Sequence, residues 1–516
     1  MSVLSHLTRH IARSSSSKIP FFGTGNNVFV VPSRSLLSFG QPTLESHAEF
    51  FGGPMEIMPG LYREELKNRR NSLCNMILDW SSKTESRSSD LSHLIFIPAS
   101  RKKYMTENIP YPFRQNSNFL YLSGSFDPEA LIILCANRTE QIHMLFLADP
   151  DPMAELWDGP KTSVKAAVDH YGFDRAFQMS EFDGFVREFS RLTNKVKVWC
   201  EEKEIVEKLL HPTYGFELKN TESPKAILDA MRVIKSPSEI SLLRQSCKIA
   251  SEAFQQTIKY CAEKCSQGEP LSEHQIWAKI DYESRIHGAD RLAYPPVVAS
   301  GSRANVIHYV FNSNKCDPKE LVLVDAGCEF FGYCSDITRT WPVSGKFVDD
   351  RHKSLYEMLL QVQIDLIKQV RPGISLDHLF RIMSSHLVKG LEELGIIKPG
   401  LGSRSKSDIA LRFCPHHVSH HLGMDVHDTP SIERNDPLQP GMIVTIEPGI
   451  YIRNVPSQRE ILTPAGKEFI GIAMRIEDDV LVTNDGQNVL SGSCPKHIED
   501  IERWGHINLA KSASRF

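Results

Sequence analysis

Two aspartates eleven residues apart, in a segment built to turn back on itself, constrain this chain more than any other feature. They lie in Leu-Val-Leu-Val-Asp325-Ala-Gly-Cys-Glu-Phe-Phe-Gly-Tyr-Cys-Ser-Asp336-Ile-Thr-Arg-Thr-Trp. Leu321 to Val324 is a short apolar run rich in β-branched residues, Gly332 supplies a turn, and Ile337 to Trp341 reads as a returning strand. A hairpin of that kind brings two carboxylates to one place, where they repel unless a cation lies between them. Three further residues complete an ordered set. His420 opens His-His-Leu-Gly-Met-Asp-Val-His, Glu447 lies in Thr-Ile-Glu-Pro-Gly-Ile-Tyr, and Glu477 lies in Met-Arg-Ile-Glu-Asp-Asp-Val. Any one alone reads more readily as a surface carboxylate or a buried histidine. Together, four carboxylates and one imidazole make a hard, oxygen-rich site suited to Mn²⁺ and less to a thiolate-loving metal. Four negative charges balance two divalent ions, so a carboxylate-bridged metal pair is expected.

A chain of 516 residues is long enough for two or three domains and a large core. Its formal net charge of −4 gives no reason to invoke nucleic acid or an anionic membrane as partner. No stretch approaches the roughly eighteen apolar residues of a membrane-spanning helix, so stable membrane insertion is not expected. The eleven cysteines are scattered, with no CxxC pair, and read as free thiols of a reducing compartment. Cys261 and Cys265, one helical turn apart, read as a buried or half-buried face.

Residues 1–44 differ from the rest. They contain no Asp or Glu, but they contain Arg9, Arg13, Lys18, Arg34 and the run Ser14 to Ser17. Val3, Leu4, Leu7, Ile11 and Ala12 can form one face of a helix. An acid-free, Arg- and Ser-rich amphipathic start reads as an organelle transit peptide, mitochondrial in preference to plastid. Residues 45–232 carry an αβ pattern of their own. A helix is expected over Leu61 to Trp80, with strands at His93 to Pro98, Phe119 to Leu122, Ala130 to Leu134 and His143 to Leu147. A boundary follows near Arg232 to Ser236, where Ser236-Pro-Ser-Glu239 is a capping box with proline at the first helical position. Ile240, Leu243, Cys247, Ala250 and Phe254 then recur at helical spacing. Residues 233–500 form the half that bears the ordered set, with helices expected over Ser272 to His287, Leu355 to Val370 and Leu376 to Leu394. Gly395 to Ser407 reads as a loop, and residues 501–516 as a tail.

The ordered Asp–Asp–His–Glu–Glu set inside five extended motifs resembles the family of aminopeptidase P, prolidase and methionine aminopeptidase, over roughly residues 50 to 500. The segments Tyr111-Pro-Phe-Arg-Gln-Asn-Ser-Asn-Phe-Leu-Tyr-Leu-Ser-Gly and Ala154-Glu-Leu-Trp157-Asp-Gly-Pro resemble the N-terminal domain of aminopeptidase P enzymes, which methionine aminopeptidases generally lack. The resemblance implies an α+β architecture, with a pita-bread metallopeptidase domain preceded by a smaller αβ domain. It also implies an exopeptidase acting on peptide or protein N-termini. Asp325 would belong to one metal and His420 with Glu447 to the other, with Asp336 and Glu477 bridging. Glu447 would also take a proton from the attacking water.

His308, His427 and His416 match substrate-side histidines of the family. His417 and His421 have no role that the resemblance supplies and read as structural. Arg475, two before Glu477, is expected on the same strand face, where it neutralises and orients carboxylates. Tyr451 is a candidate lining residue. Trp157 is a candidate for a substrate pocket, in some relatives that of a neighbouring subunit, so a homodimer or larger homo-oligomer stays open. Three functions compete. One is a mitochondrial enzyme trimming single residues after presequence removal. Another is a plain X-Pro aminopeptidase or prolidase, and the last is a catalytically dead binding protein on the same scaffold. The retention of all five ligand positions speaks against the last.

Overall fold

The computed structural model describes residues 40–505, apart from 85–90, 194, 211–213, 215, 217 and 402–404. Most of the transit-like segment and residues 506–516 of the tail lie outside the described residues. The chain divides into two compact units, Met1–Met231 and Arg232–Phe516.

In the first unit, five strands form one mixed sheet in the order Arg175–Gln178, Gln141–Leu147, Leu131–Ala136, Leu91–Pro98, Lys195–Cys200. The three inner strands pair antiparallel and both edge strands pair parallel. Parallel pairing needs long crossovers, and the sequence supplies helical segments, Pro152–Asp158 and Val164–Asp169, between the paired strands Gln141–Leu147 and Arg175–Gln178, and a further helix, Phe182–Leu192, on the way to the opposite edge strand. That helix lays Phe182, Phe185 and Phe189 on a buried cluster with Leu94, Phe96, Ile133 and Phe146.

The expected strand at Phe119 to Leu122 is instead the middle of a helix, Ser117–Ser123. Its residues are all buried, which gives a continuous apolar run of the kind a core strand also shows. The ends decide the matter. The Asn116 side chain accepts from the Phe119 N–H at 2.9 Å, and Gly124 stops the helix in the left-handed region at φ 70°. The carbonyls of Tyr121 and Leu122 are taken by the buried guanidinium groups of Arg69 (3.1 Å) and Arg70 (2.8 Å). Both arginines come from the long helix Arg63–Thr84, where Leu61 to Trp80 was expected.

In the second unit, the capping box forms as read, with Ser236 and Glu239 satisfying one another's backbone at the start of Pro237–Ser266. Leu243, Cys247, Ala250 and Phe254 face the core, while Ile240 is only half-buried. The other expected helices run Glu273–Ile286, Asp350–Gln369 and Leu376–Glu393. The Gly395 to Ser407 loop gives way to a further short helix, Lys406–Phe413.

Strands Val297–Ser300, Leu321–Ala326 and Ile337–Pro342 form an antiparallel sheet in which Asp325 stands opposite Thr338. The return from Asp325 to Asp336 is therefore no simple hairpin. The main ladder ends at Ala326↔Ile337, and the intervening residues fold into a second small ladder, Cys328–Phe330 with Tyr333–Cys334. Two glycines permit this. Gly332 turns at φ 80°, and a Cβ on Gly327 would run into the Ser335 carbonyl. A second sheet, Ile443–Ile446 with Asp478–Val482 and Gln487–Val489, and the ribbon Gly449–Tyr451 with Ala473–Arg475 bring in the remaining motifs. The Glu477 N–H donates to the Thr338 carbonyl at 3.0 Å, which joins the two systems where the carboxylates meet.

Candidate metal centre

The three consecutive acids Glu477, Asp478 and Asp479 are sent in three directions by the break between the strands Ala473–Arg475 and Asp478–Val482. Glu477 faces the site and accepts from the Thr338 hydroxyl at 2.6 Å. Asp478 is fully buried among Arg339 (2.7 Å), Ser491 (2.7 Å), Gln363 (2.8 Å) and Lys496 (2.5 Å), and its pKa is held below the ordinary carboxylate range. Burial alone would push it up; the two cations outweigh burial. Asp479 accepts the Asp336 backbone N–H at 3.0 Å and the Cys247 thiol at 3.1 Å. Asp336 is thus held from behind by one acid while it faces another.

One ligand atom from each of Asp336, His420 and Glu477 lies within 4.8 Å of the others. The His420 Nδ1–H donates to the His421 carbonyl at 3.1 Å. That leaves Nε2 facing inward, 3.4 Å from Asp336 Oδ2 and 3.6 Å from Glu447 Oε1. Asp325 is bound by the Arg475 guanidinium, and Tyr294 places its hydroxyl between the two aspartates, 2.6 Å from Asp325 Oδ1 and 2.5 Å from Asp336 Oδ1.

Four carboxylates are gathered here, and one guanidinium is ion-paired with them. Burial raises the Asp325 pKa, with Arg475 opposing and Asp336 adding to the rise. Burial lifts the Glu447 carboxyl to about 7 against the pull of His420 and Arg475. Glu477 is pushed well up by burial and by the charges of Asp336, Glu447 and Asp325. Burial depresses the His420 imidazole, but Asp336 and Glu447 outweigh it and lift it to about 9. Repelling acids with an inward-turned imidazole fit hard divalent cations, which would relieve that repulsion.

A cavity of about 850 Å³ opens onto this cluster. Its lining brings together nine of the residues read from the sequence: Asp325, Asp336, His420, Glu447, Glu477, Arg475, His308, His416 and His427. The His427 ring stands edge-on to His420, with centroids 4.5 Å apart. His416 donates through Nδ1 to the His417 carbonyl (2.9 Å), which leaves Nε2 to accept from the Tyr451 hydroxyl (3.0 Å). Burial and the nearby Arg475 lower its pKa to about 3, so the ring is neutral.

His417 and His421 also border the cavity, and His417 stacks on Phe380 with ring centroids 5.1 Å apart. Tyr451 is buried one layer behind the wall, not in it, receiving the Arg475 guanidinium at 2.6 Å. Arg475 ends its strand and Glu477 falls in the break beyond, so the two are not simple neighbours on one strand face. They meet through Thr338, which accepts from Arg475 Nε at 3.0 Å and donates to Glu477. Trp157 belongs to the first unit, on the helix Pro152–Asp158, 82% exposed and not among the lining residues. Tyr294, Thr338 and Asp479 were not read from the sequence. For Tyr294, the one local signal is its place before Pro295-Pro296 at the start of a core strand.

A buried cluster of hard ligands with an inward histidine, opening on a roomy cavity, is the equipment of a metal-dependent hydrolase. Residues 241–484 match the family model described as metallopeptidase family M24, and residues 66–199 match the aminopeptidase P N-terminal domain. The chain is 39% identical over 485 residues to Xaa-Pro aminopeptidase 3 of Rattus norvegicus, covering 92% of this chain and 91% of that one. It is 34% identical over 474 residues to the mitochondrial intermediate cleaving peptidase 55 of Arabidopsis thaliana, covering 91% and 88%. Among solved structures it is similar to proline aminopeptidase P II from Yersinia pestis, with a TM-score of 0.74 and 31% identity over 86% of this chain and 99% of that one. The chain belongs to the aminopeptidase P family of M24 metallopeptidases and has the pita-bread fold with the aminopeptidase P N-terminal domain. It is a metallo-aminopeptidase of a family that binds divalent metals.

Proposed function

We propose that this metallo-aminopeptidase removes single residues from the N-termini of peptides and of proteins newly imported into mitochondria, after the presequence has been cut away. The observation that carries the reading is the pairing of an acid-free, Arg/Ser-rich first segment with high similarity, over nearly the whole chain, to a relative named as a mitochondrial intermediate cleaving peptidase. The names of other relatives, Xaa-Pro aminopeptidase 3 among them, favour plain X-Pro cleavage as the second reading.

Asp325, Asp336, His420, Glu447 and Glu477 would hold two divalent ions, Mn²⁺ by the hardness of the donor set. When bound, such a pair supplies an activated water at neutral pH and polarises the scissile carbonyl. Glu447 lines the cavity with one oxygen 3.6 Å from His420 Nε2, and is suited by that place to receive the proton that water loses. His308 and His427 border the same cavity without belonging to the donor set, and act as hydrogen-bond donors to the developing oxyanion. Arg475 holds Asp325 and, through Thr338, Glu477, and His416 shapes the wall.

The helix bearing Trp157 has no buried residue and exposes Met153 and Leu156 as well, and the strands Tyr104–Thr106 and Ile109–Pro110, which follow a Lys102 that ion-pairs with Asp158 of that helix, expose Tyr104, Met105 and Ile109. Such a display supports a homo-oligomer in which Trp157 serves a neighbouring subunit's pocket.

Two measurements test the reading. The Mn²⁺-loaded enzyme is given peptides varied at their first two positions, with products read by mass. The N-termini of mitochondrial proteins are compared with and without the enzyme, and the mature enzyme's own N-terminus is sequenced. The expected results are removal of single bulky apolar residues without a following proline, and a mature start between Ser33 and Glu45. An uncleaved cytosolic protein overturns the address. Strict X-Pro cleavage with unchanged mitochondrial N-termini overturns the trimming role in favour of the second reading.

A further inference from the structure

The loop that carries His308 is fastened at its base by one carboxylate. Glu273, at the start of the helix Glu273–Ile286, has no solvent exposure and accepts four hydrogen bonds, two at each oxygen. Oε1 takes the Ser300 N–H at 3.0 Å and the Arg303 Nε–H at 2.6 Å, both before His308 in the chain. Oε2 takes the Tyr309 hydroxyl at 2.9 Å and the Asn314 N–H at 2.8 Å, both after it. Both flanks of the loop therefore close on a single group.

The pattern of burial along the loop shows what this fastening accomplishes. His308 is exposed toward the cavity, while the next residue, Tyr309, is buried in an apolar cluster with Val297, Ala299, Leu323 and Tyr451. A buried anchor beside an exposed imidazole sets where that imidazole projects. Asn312 fixes the far side to the strand Val297–Ser300. It accepts from the Val298 N–H and donates to the Pro296 carbonyl, each at 2.8 Å, with its own backbone in the left-handed region at φ 47°. A buried carboxylate is costly unless its lone pairs are filled, and here donors at both ends of one loop fill them. The helix N-terminus adds favourable charge to the same position. Glu273 is not among the cavity-lining residues.

We infer that Glu273 is a positioning residue for catalysis, acting through Tyr309 to hold His308 at the substrate carbonyl. This deepens the proposed function and rests on its assignment of His308 as an oxyanion donor. Misplacing a catalytic group by about 1 Å can cost on the order of 100-fold in rate.

The test is a double-mutant cycle on the Mn²⁺-loaded full chain, with kcat, KM, metal content and melting temperature measured for each variant. Glu273→Gln keeps the shape but loses the charge and half of the acceptor set. Tyr309→Phe removes only one hydroxyl and keeps the packing, so it carries the test if the first variant folds poorly. Each is expected to lower kcat about 10- to 100-fold, with KM moving less and metal content unchanged. In the His308→Ala background, each is expected to cost less than about twofold more, because the group they position is gone. Equal fold-losses in both backgrounds overturn the inference and leave the role of His308 standing. A His308→Ala variant with wild-type kcat overturns the role of His308 and the inference with it.

Discussion

Replacing Arg475 with glutamine should destabilise the protein in a way that added metal largely repairs. The side chain is buried, and it binds Asp325, the Tyr451 hydroxyl at 2.6 Å and the Thr338 hydroxyl at 3.0 Å. Burial alone would make a guanidinium easier to deprotonate, but the surrounding acids hold its pKa well above the ordinary value. Removing one member of a buried, hydrogen-bonded charge pair typically costs about 3–5 kcal/mol. At about 2–4 °C per kcal/mol for units approaching this size, the metal-free variant should melt roughly 6–20 °C below the metal-free wild type. Divalent ions bound among the carboxylates supply the missing positive charge by another route. The gap should therefore shrink by more than half when Mn²⁺ is added in excess. Arg475→Lys, which keeps the charge but not the forked geometry, should fall between the two. The assay is a melting curve for each variant with chelator and with Mn²⁺. An equal gap under both conditions would refute the reasoning, since Arg475 would then act through packing and not through charge.

Asp336→Ala and Glu477→Ala should lose the most metal of the five ligand variants, because each is proposed to serve both ions; metal analysis after dialysis checks this, and full activity in chelated protein would sink the metal reading. His427→Ala should lower kcat by about 10²–10³ while metal content holds, as expected for a donor at a developing oxyanion; parallel loss of metal would make it a ligand or a structural group. Asp349→Ala should cost about 1 kcal/mol at neutral pH, because the side chain caps the helix Asp350–Gln369 by accepting the Arg351 N–H at 2.9 Å. Its hydrogen bond to the Arg351 side chain draws the folded pKa to about 2, below the unfolded value, so the benefit is present above about pH 4 and is lost as pH falls toward 2. Urea midpoints at pH 7 and pH 3.5 should show the gap between wild type and variant narrowing.

How much of this was legible in the sequence depends on the distance over which each feature is determined. Helix starts were legible where a cap declares itself, as at Ser236 with Glu239, because partners three residues apart are already in contact range. The segment around Phe119 was misread because its apolar run is continuous. Its helical ends depend in part on Arg69 and Arg70, some fifty residues upstream. The five proposed ligand positions drew notice because each sits inside its own extended motif, as did the histidines beside them, and the structure gathers all of these on one cavity. Tyr294, Thr338 and Glu273 could not. Each is an ordinary residue locally, and its importance arises only when folding brings it to a partner 27 to 139 positions away. The double-tiered return between Asp325 and Asp336 escaped for a related reason: turn residues mark where a chain reverses, not how many ladders it makes on the way.

The division of labour among Glu477, Asp478 and Asp479 carries a lesson for anyone who edits this gene. Three acids in a row look interchangeable in an alignment or a mutational scan, and a charge-conserving swap looks mild. Here their order is a code. The first faces the cavity, the second neutralises a buried cationic knot, and the third grips the backbone of an acid on another strand. Insertion or deletion of a single residue just before them would keep every side chain and reassign every task. This short stretch should therefore accept some substitutions yet tolerate no change of length, and a library made by shifting its frame one residue at a time would expose that asymmetry directly.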